Sequence, residues 1–215
     1  MNDLTRYQTV RTRMRGGDIL FFGGCDASDV VCIVEHFVPN SIGAVTRSNL
    51  THVTMILDPT LLVSGKPQTE LMLLESTIAH GKNGPQINPV EKTIAEYDGL
   101  VWWAPLSERD RAMVDWPALW SFALSKVGTD HYAIKTLTDT LVRKFTPIGW
   151  LPWFHRPDPK GEVCSEFIAE NFRAGGLPGI ETHEVSPQSW AQMHIYDGLV
   201  QLVGSPAKIR GFNSI

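Results

Sequence analysis

The sequence predicts one α+β domain in which a helix that begins at a cysteine packs on a central antiparallel sheet. Short apolar runs bounded by glycine or proline recur along the chain, which is typical of buried strands. Other stretches have apolar residues at helical spacing. The length of 215 residues, with 43% hydrophobic and 20% charged residues, suits one good-sized core. We therefore expect residues 1–215 to form a single domain, with residues 1–15 as a basic N-terminal arm.

The individual elements follow from these patterns in chain order. Strands are predicted at residues 19–22, 49–57, 70–76, 99–105 and 199–203. Helices are predicted at residues 27–38, 107–128, 132–145 and 161–178, with a short helical turn at residues 186–190. We expect Pro117 to kink the helix that contains it. The proline-rich residues 146–160 predict an ordered loop that either covers the core or faces a substrate.

Two of the predicted strands are expected to form a hairpin that brings two titratable side chains together. Alternation along the second predicted strand places Leu50 and His52 on one face and Val53 on the other. The next strand, predicted at residues 70–76, follows a turn that contains glycine and proline, and it carries Glu75 near its end. Pairing of these two strands brings Glu75 beside His52.

The helix predicted at residues 161–178 carries a cysteine in its first turn. Phe167, Ile168 and Phe172 fall on one side of it, and two glycines and a proline end it. No Ser, Thr, Asp or Asn caps the helix before Cys164. The positive end of a helix favours a thiolate, which is a nucleophile at neutral pH. The alternative is a buried, unreactive cysteine.

Composition argues against several classes of function. A formal net charge of -4, without a long basic run, argues against nucleic acid as a main partner. The three cysteines form no C-x-x-C pair, so neither a disulfide framework nor a zinc site is predicted. Scattered histidines without an H-E-x-x-H pattern argue against a metal hydrolase, and the sequence calls for no cofactor.

The N-terminal segment has basic residues but lacks the apolar run of a signal peptide, and no stretch of the sequence is long and apolar enough to span a bilayer. We therefore expect a cytoplasmic protein without stable membrane insertion. Delivery to a cell wall by a phage or another export route stays open, and the sequence does not determine an oligomeric state.

Three segments together resemble the signatures of the NlpC/P60 cysteine peptidases. Residues 17–22 (GDILFF) resemble a G-D-L-V-F-F strand, and residues 51–57 (THVTMIL) resemble an H-V-G-I-Y strand. Residues 163–168 (VCSEFI) resemble a D-C-S-G-L-V helix start. In the ordinary family the cysteine helix precedes both strands, whereas here it follows them. The resemblance therefore implies a circularly permuted papain-like fold over about residues 14–203.

The permuted order, with C-S-E in place of C-S-G, is similar to the YiiX-like branch of this family, and the lecithin:retinol acyltransferases are more distantly similar. The resemblance implies thiol peptidase or amidase activity without a cofactor. Its leading substrate is a peptidoglycan stem peptide or a related γ-glutamyl amide. An intracellular lipid acyl hydrolase, thioesterase or acyltransferase is the alternative, because residues 150–154 (WLPWF) would suit an acyl chain. A non-catalytic binding module with the same fold is a further alternative.

The residues indicate nucleophilic catalysis, and the resemblance assigns the same positions. Cys164 would attack an acyl carbonyl, His52 would take and return the proton, and Glu75 would orient the imidazole. The Cys164 backbone N–H would supply part of an oxyanion hole. The resemblance also implies that Asp18 and Tyr132 lie at the substrate cleft, although an Asp before a strand is often only a turn residue.

Other residues compete for two of these roles. A shift of strand register would exchange Glu75 for Glu70 or His80. The histidines that compete with His52 for the role of base are His36, His80, His131, His155, His183 and His194.

Overall fold

The computed structural model describes residues 3–24, 50–63, 66–67, 70–77, 84–128, 164–180 and 185–215. Its strands are β1 (Ile19–Gly23), β2 (Leu50–Ile56), β3 (Leu62–Val63), β4 (Lys66–Pro67), β5 (Met72–Thr77), β6 (Gly84–Pro89), β7 (Leu100–Ala104) and β8 (Val200–Val203). Among the described residues, six strands form one antiparallel sheet in the order β6-β5-β2-β1-β7-β8. The short strands β3 and β4 pair separately. The predicted α+β class with an antiparallel sheet is confirmed.

Helices lie on both faces of the six-stranded sheet. They are α1 (Thr5–Val10), α2 (Val90–Glu96), α3 (Glu108–Arg111), α4 (Trp116–Lys126), α5 (Cys164–Ala174) and α6 (Pro187–Ala191). Buried residues of α4, α5 and α6 share one apolar core with one face of the sheet, and buried residues of α1 and α2 share a second core with the other face. Within the described ranges, none of the helices has the length and apolar character to cross a membrane.

The two cores explain why β1 is apolar at every position before its final glycine. Ile19 and Phe21 belong to the core beneath α5, whereas Leu20 and Phe22 belong to the core beneath α1 and α2. Because both faces of this central strand are covered, every one of its residues is buried. The prediction of a buried strand here is confirmed, and β1 forms the rigid neighbour against which β2 is aligned.

The helix predicted at residues 107–128 is two helices. Helix α3 ends at Arg111, and α4 begins after Asp115, whose side chain accepts a hydrogen bond from the Ala118 N–H at 3.1 Å. Proline is favoured in the first helical turn because its missing N–H is not needed there. Pro117 therefore helps to start α4, and the predicted kink within one long helix is wrong.

Two regions have structure that the sequence patterns did not indicate. The predicted basic arm contains α1 and a 3-10 turn, and it buries Tyr7 and Met14 in the second core. Strand β6 contains Pro85 and Pro89, which argue against a strand in a sheet interior. An edge strand tolerates proline because one side of its backbone has no strand partner, and β6 lies at the edge. The predicted elements at residues 27–38, 132–145 and 146–160 lie outside the described residues.

Strand β2 departs from simple alternation next to His52. Val53 lies in the core beneath α5 as expected, but Leu50 lies in that core too, so the prediction that Leu50 lies on the face opposite Val53 is wrong. The reason is a shift in pairing with β1: Phe22 pairs with His52, whereas Gly23 pairs with Leu50. Thr51 is thus an extra residue on β2, as in a β-bulge, and such bulges change the direction of neighbouring side chains.

Candidate active site

His52 lies on β2 beside this irregularity and is 8% exposed. Its ring centroid lies 5.6 Å from that of Phe22, which forms one wall of the imidazole site. The ring nitrogen Nε2 lies 2.8 Å from Oε2 of Glu75. A carboxylate partner accepts a hydrogen bond from a protonated Nε2, and in neutral imidazole this leaves Nδ1 as the basic nitrogen. The predicted pairing of His52 with Glu75 is present in the structure.

Glu75 lies on β5 and is buried, with 2% of its surface exposed. Besides the contact with His52, its Oε1 accepts a hydrogen bond from Nδ2 of Asn88 at 2.8 Å. Glu70, which a different register would have placed in this position, is exposed, and His80 lies outside the described residues. The register of β2 and β5, which pairs Met55 with Leu74, therefore selects Glu75 as the carboxylate beside His52.

Cys164 is the first residue of α5 and is 5% exposed. The start of this helix is held from two sides: the Ser165 hydroxyl donates to the Val185 carbonyl, and the Trp190 indole N–H donates to the Ser165 carbonyl at 3.0 Å. The predicted position of the cysteine at a helix start is confirmed.

The electrostatics of His52 link it to Cys164. Burial lowers the pKa of His52, but the charge of the Cys164 sulfur, a hydrogen bond to that sulfur and the carboxylate of Glu75 outweigh burial and raise this pKa well above its usual value. Nδ1 of His52 is buried and lacks a partner at full hydrogen-bond geometry. Since Nε2 is directed to Glu75, Nδ1 is the nitrogen that remains to exchange a proton with the thiol. Residues from α5, β2 and β5 thus form one cluster.

Asp18 does not belong to this cluster. Its backbone carbonyl accepts from the Ile56 N–H, which places it opposite the far end of β2, about 13 Å from His52 at roughly 3.3 Å per residue. The side chain is fully buried and accepts hydrogen bonds from Trp103, at 3.0 Å, and from Arg111. Burial raises the pKa of this carboxyl despite these donors. Its surroundings match the structural alternative that the sequence left open.

The remaining sequence-predicted positions are only partly within the described residues. Tyr132 lies outside them, as do five of the competing histidines: His36, His80, His131, His155 and His183. The sixth, His194, is exposed. In the described part of the chain, no group of three or more His, Cys, Asp and Glu side chains is placed to hold a metal ion.

Asn88 is the site residue that sequence reasoning missed. The sequence analysis predicted no element for its segment, in which Pro85 and Pro89 weaken the strand signal, so Asn88 had no assigned neighbour. The sequence nevertheless contained a strand signal, because the polar residues Gln86 and Asn88 alternate with the apolar Ile87, as side chains do on the two faces of a strand.

Comparisons with known proteins identify no family for this chain. No model of a known protein family matches the chain, and a search of curated proteins found no significant match. The resemblance to NlpC/P60 peptidases therefore stays a prediction.

Proposed function

We propose that this protein is a thiol hydrolase that cleaves an amide bond, with Cys164 as nucleophile, His52 as general base and acid, and Glu75 as the group that orients His52. The observation that carries the proposal is the convergence of three distant segments on one buried cluster. Nε2 of His52 lies 2.8 Å from Glu75, and the Cys164 sulfur raises the pKa of the same imidazole. A nucleophile, a base and an orienting carboxylate in this relation are the parts of an acyl-transfer site.

The proposed reaction has two stages. The Cys164 thiolate attacks the carbonyl carbon to form a C–S bond, and the His52 imidazolium gives its proton to the leaving amine as the C–N bond breaks. Water then attacks the thioester while neutral His52 accepts a proton from it. The C–S bond breaks, the carboxylic acid leaves, and the proton returns to the Cys164–His52 pair.

The developing oxyanion requires hydrogen-bond donors near the sulfur. The position of Cys164 as the first described residue of α5 supports this requirement, because the N–H groups at the start of a helix are available as donors. A single oxyanion donor can contribute about 10²–10³ in rate. We assign the Cys164 N–H to this role.

The proposal extends to fold and substrate. The order of the segments favours a circularly permuted papain-like fold of the NlpC/P60 type, and the α5 helix on an antiparallel sheet is compatible with it. Within that group the substrate is a peptidoglycan stem peptide or a related γ-glutamyl amide. A wall substrate further implies delivery outside the cytoplasm, whereas a γ-glutamyl amide does not.

The test is to incubate the protein with muropeptides, a simple γ-glutamyl amide and fatty-acyl thioesters, each beside Cys164→Ala. We expect turnover of an amide that disappears in the variant. Turnover of the thioesters but not the amides would favour a lipid acyl enzyme. No turnover of any substrate, together with no labelling of Cys164 by iodoacetamide at neutral pH, would favour a binding module and overturn the proposal.

A further inference from the structure

Asn88 holds the carboxylate of Glu75 from the side opposite His52. Asn88 lies on β6 and is half-buried. Its Nδ2 donates to Oε1 of Glu75 at 2.8 Å, while Oε2 of the same carboxylate lies 2.8 Å from His52. Because each carboxylate oxygen has a different partner, rotation of the carboxylate would break both contacts.

The sheet register explains this arrangement. Glu75 pairs with Gln86 and Leu73 pairs with Asn88, so Asn88 is one diagonal step from Glu75 on β6. When the β2–β5 pairing is continued from Met55 and Leu74, His52 is one diagonal step from Glu75 on the other side. Diagonal neighbours on adjacent strands are within reach of long side chains. The three residues therefore form a row across β2, β5 and β6.

We propose that Asn88 is a positioning residue of the candidate active site, which acts through Glu75 to hold His52 ready to exchange a proton with Cys164. This inference rests on the proposed function. Among the described residues, the titratable groups that act on His52 are Cys164 from α5 and Glu75 from β5. Asn88 is neutral, so its influence on His52 passes through the orientation and ionisation of Glu75. An amide donor favours the ionised form of a carboxylate.

The experiment measures the rate of Cys164 alkylation by iodoacetamide against pH, followed by peptide mass spectrometry, and needs no substrate. The wild type, in which Cys164 and Glu75 raise the pKa of His52, supplies the reference profile. In Asn88→Leu, which removes the donor at similar volume, the acidic limb should move to higher pH. The rate at pH 7 should fall about tenfold, the scale of one hydrogen bond to a charged group.

Three further variants separate positioning from a structural role. Asn88→Gln keeps an amide donor and should restore most of the rate. Asn213→Leu is the matched control, because Asn213 is also half-buried but donates to the Gln192 carbonyl at 2.7 Å. In a Glu75→Gln background, Asn88→Leu should have no further effect, because Asn88 acts through Glu75.

Two results would overturn the inference: an Asn88→Leu profile that coincides with the wild type, or an effect of Asn88→Leu that persists in full in the Glu75→Gln background. Asn88→Ala provides the same comparison where Asn88→Leu does not fold. No labelling of Cys164 in the wild type at neutral pH, together with no turnover of the substrates named above, would instead contradict the proposed function. The two failures are therefore distinguishable.

Discussion

Two buried polar clusters lie on the same sheet, and they differ in the pairing of their central group, which is the Asp18 carboxylate in one and the His52 imidazole in the other. Around Asp18, both carboxylate oxygens accept hydrogen bonds, from the Arg15 and Leu106 N–H groups and from the side chains of Trp103 and Arg111. Around His52, by contrast, Nε2 is held by Glu75 but Nδ1 has no complete hydrogen bond.

This difference separates a cluster that stabilises the fold from one that is suited to chemistry. Buried polar groups cost free energy unless they are paired, and both oxygens of the buried Asp18 carboxylate are paired, as a structural role requires. A base must keep one site able to accept a proton. The Asp18 cluster joins β1, β7 and α3, whereas the His52 cluster couples the imidazole to Cys164 and leaves Nδ1 without a complete hydrogen bond. Substitutions in the two clusters should therefore have opposite consequences for activity and stability.

The largest effect is expected for Cys164→Ala, on activity. Without the sulfur no acyl-enzyme can form, so turnover of the substrate found in the assays above should fall by about 10³-fold or more. The free energy of unfolding, measured with urea, should fall by only about 1–2 kcal/mol because one buried sulfur is lost. Turnover that survives in Cys164→Ala would show that the nucleophile lies elsewhere.

The largest effect on stability is expected for Asp18→Ala. This change leaves the Arg111 guanidinium buried without its carboxylate, and breaking a buried ion pair from one side costs about 3–5 kcal/mol. The measurement is urea unfolding, with the exposed Asp98 as the matched control: Asp98→Ala should change the free energy by less than about 0.5 kcal/mol.

The same variant also tests the separation of the two clusters. Under conditions where Asp18→Ala is folded, its alkylation profile at Cys164 should match the wild type. A loss of stability below about 1 kcal/mol, or a shifted profile in the folded variant, would contradict the distinction between the clusters.

Sequence reasoning found the His52 cluster because its members carry local signals. Cys164 begins a helix with a clear apolar face and a clear end signal. His52 and Glu75 lie on strands that the sequence pattern predicted, together with the turn between them. Each of these signals can be read within a single helix or strand, without knowledge of its partners in the fold. The hairpin predicted the pairing of the His52 and Glu75 strands, and the resemblance to NlpC/P60 peptidases added weight to the three central residues. The α+β class was predicted, but the order of the six strands was not.

The Asp18 cluster and Asn88 were not predictable in the same way. Apart from the neighbouring Arg15 N–H, the donors to Asp18 come from residues about ninety positions later in the chain, and the β1–β7 pairing brings them to it. Asn88 lies on an edge strand whose prolines suppress the strand signal. In both cases the missing information is the register between strands, which local propensity does not contain.

A smaller loss of activity is expected for Glu75→Gln. The substitution preserves shape but removes the charge that supports the imidazolium and fixes its tautomer, so turnover should fall by about 10²-fold, within the range for acid–base positioning. The control is Glu96→Gln, the same substitution at an exposed position on α2, whose turnover should equal that of the wild type. A Glu75→Gln variant with wild-type turnover and an unchanged pH profile would exclude Glu75 from the mechanism.

The smallest and most specific effect is on the titration of His52. In the wild type its pKa lies well above the usual 6.5, because the raising effects of Cys164 and Glu75 outweigh burial. Cys164→Ala removes the charge and the hydrogen bond of the sulfur but keeps burial, so the His52 pKa should fall relative to the wild type. The imidazolium would then be lost at lower pH. NMR titration of the ring, assigned with a His52→Gln spectrum, measures this, and an unchanged pKa would mean that Cys164 and His52 are not electrostatically coupled.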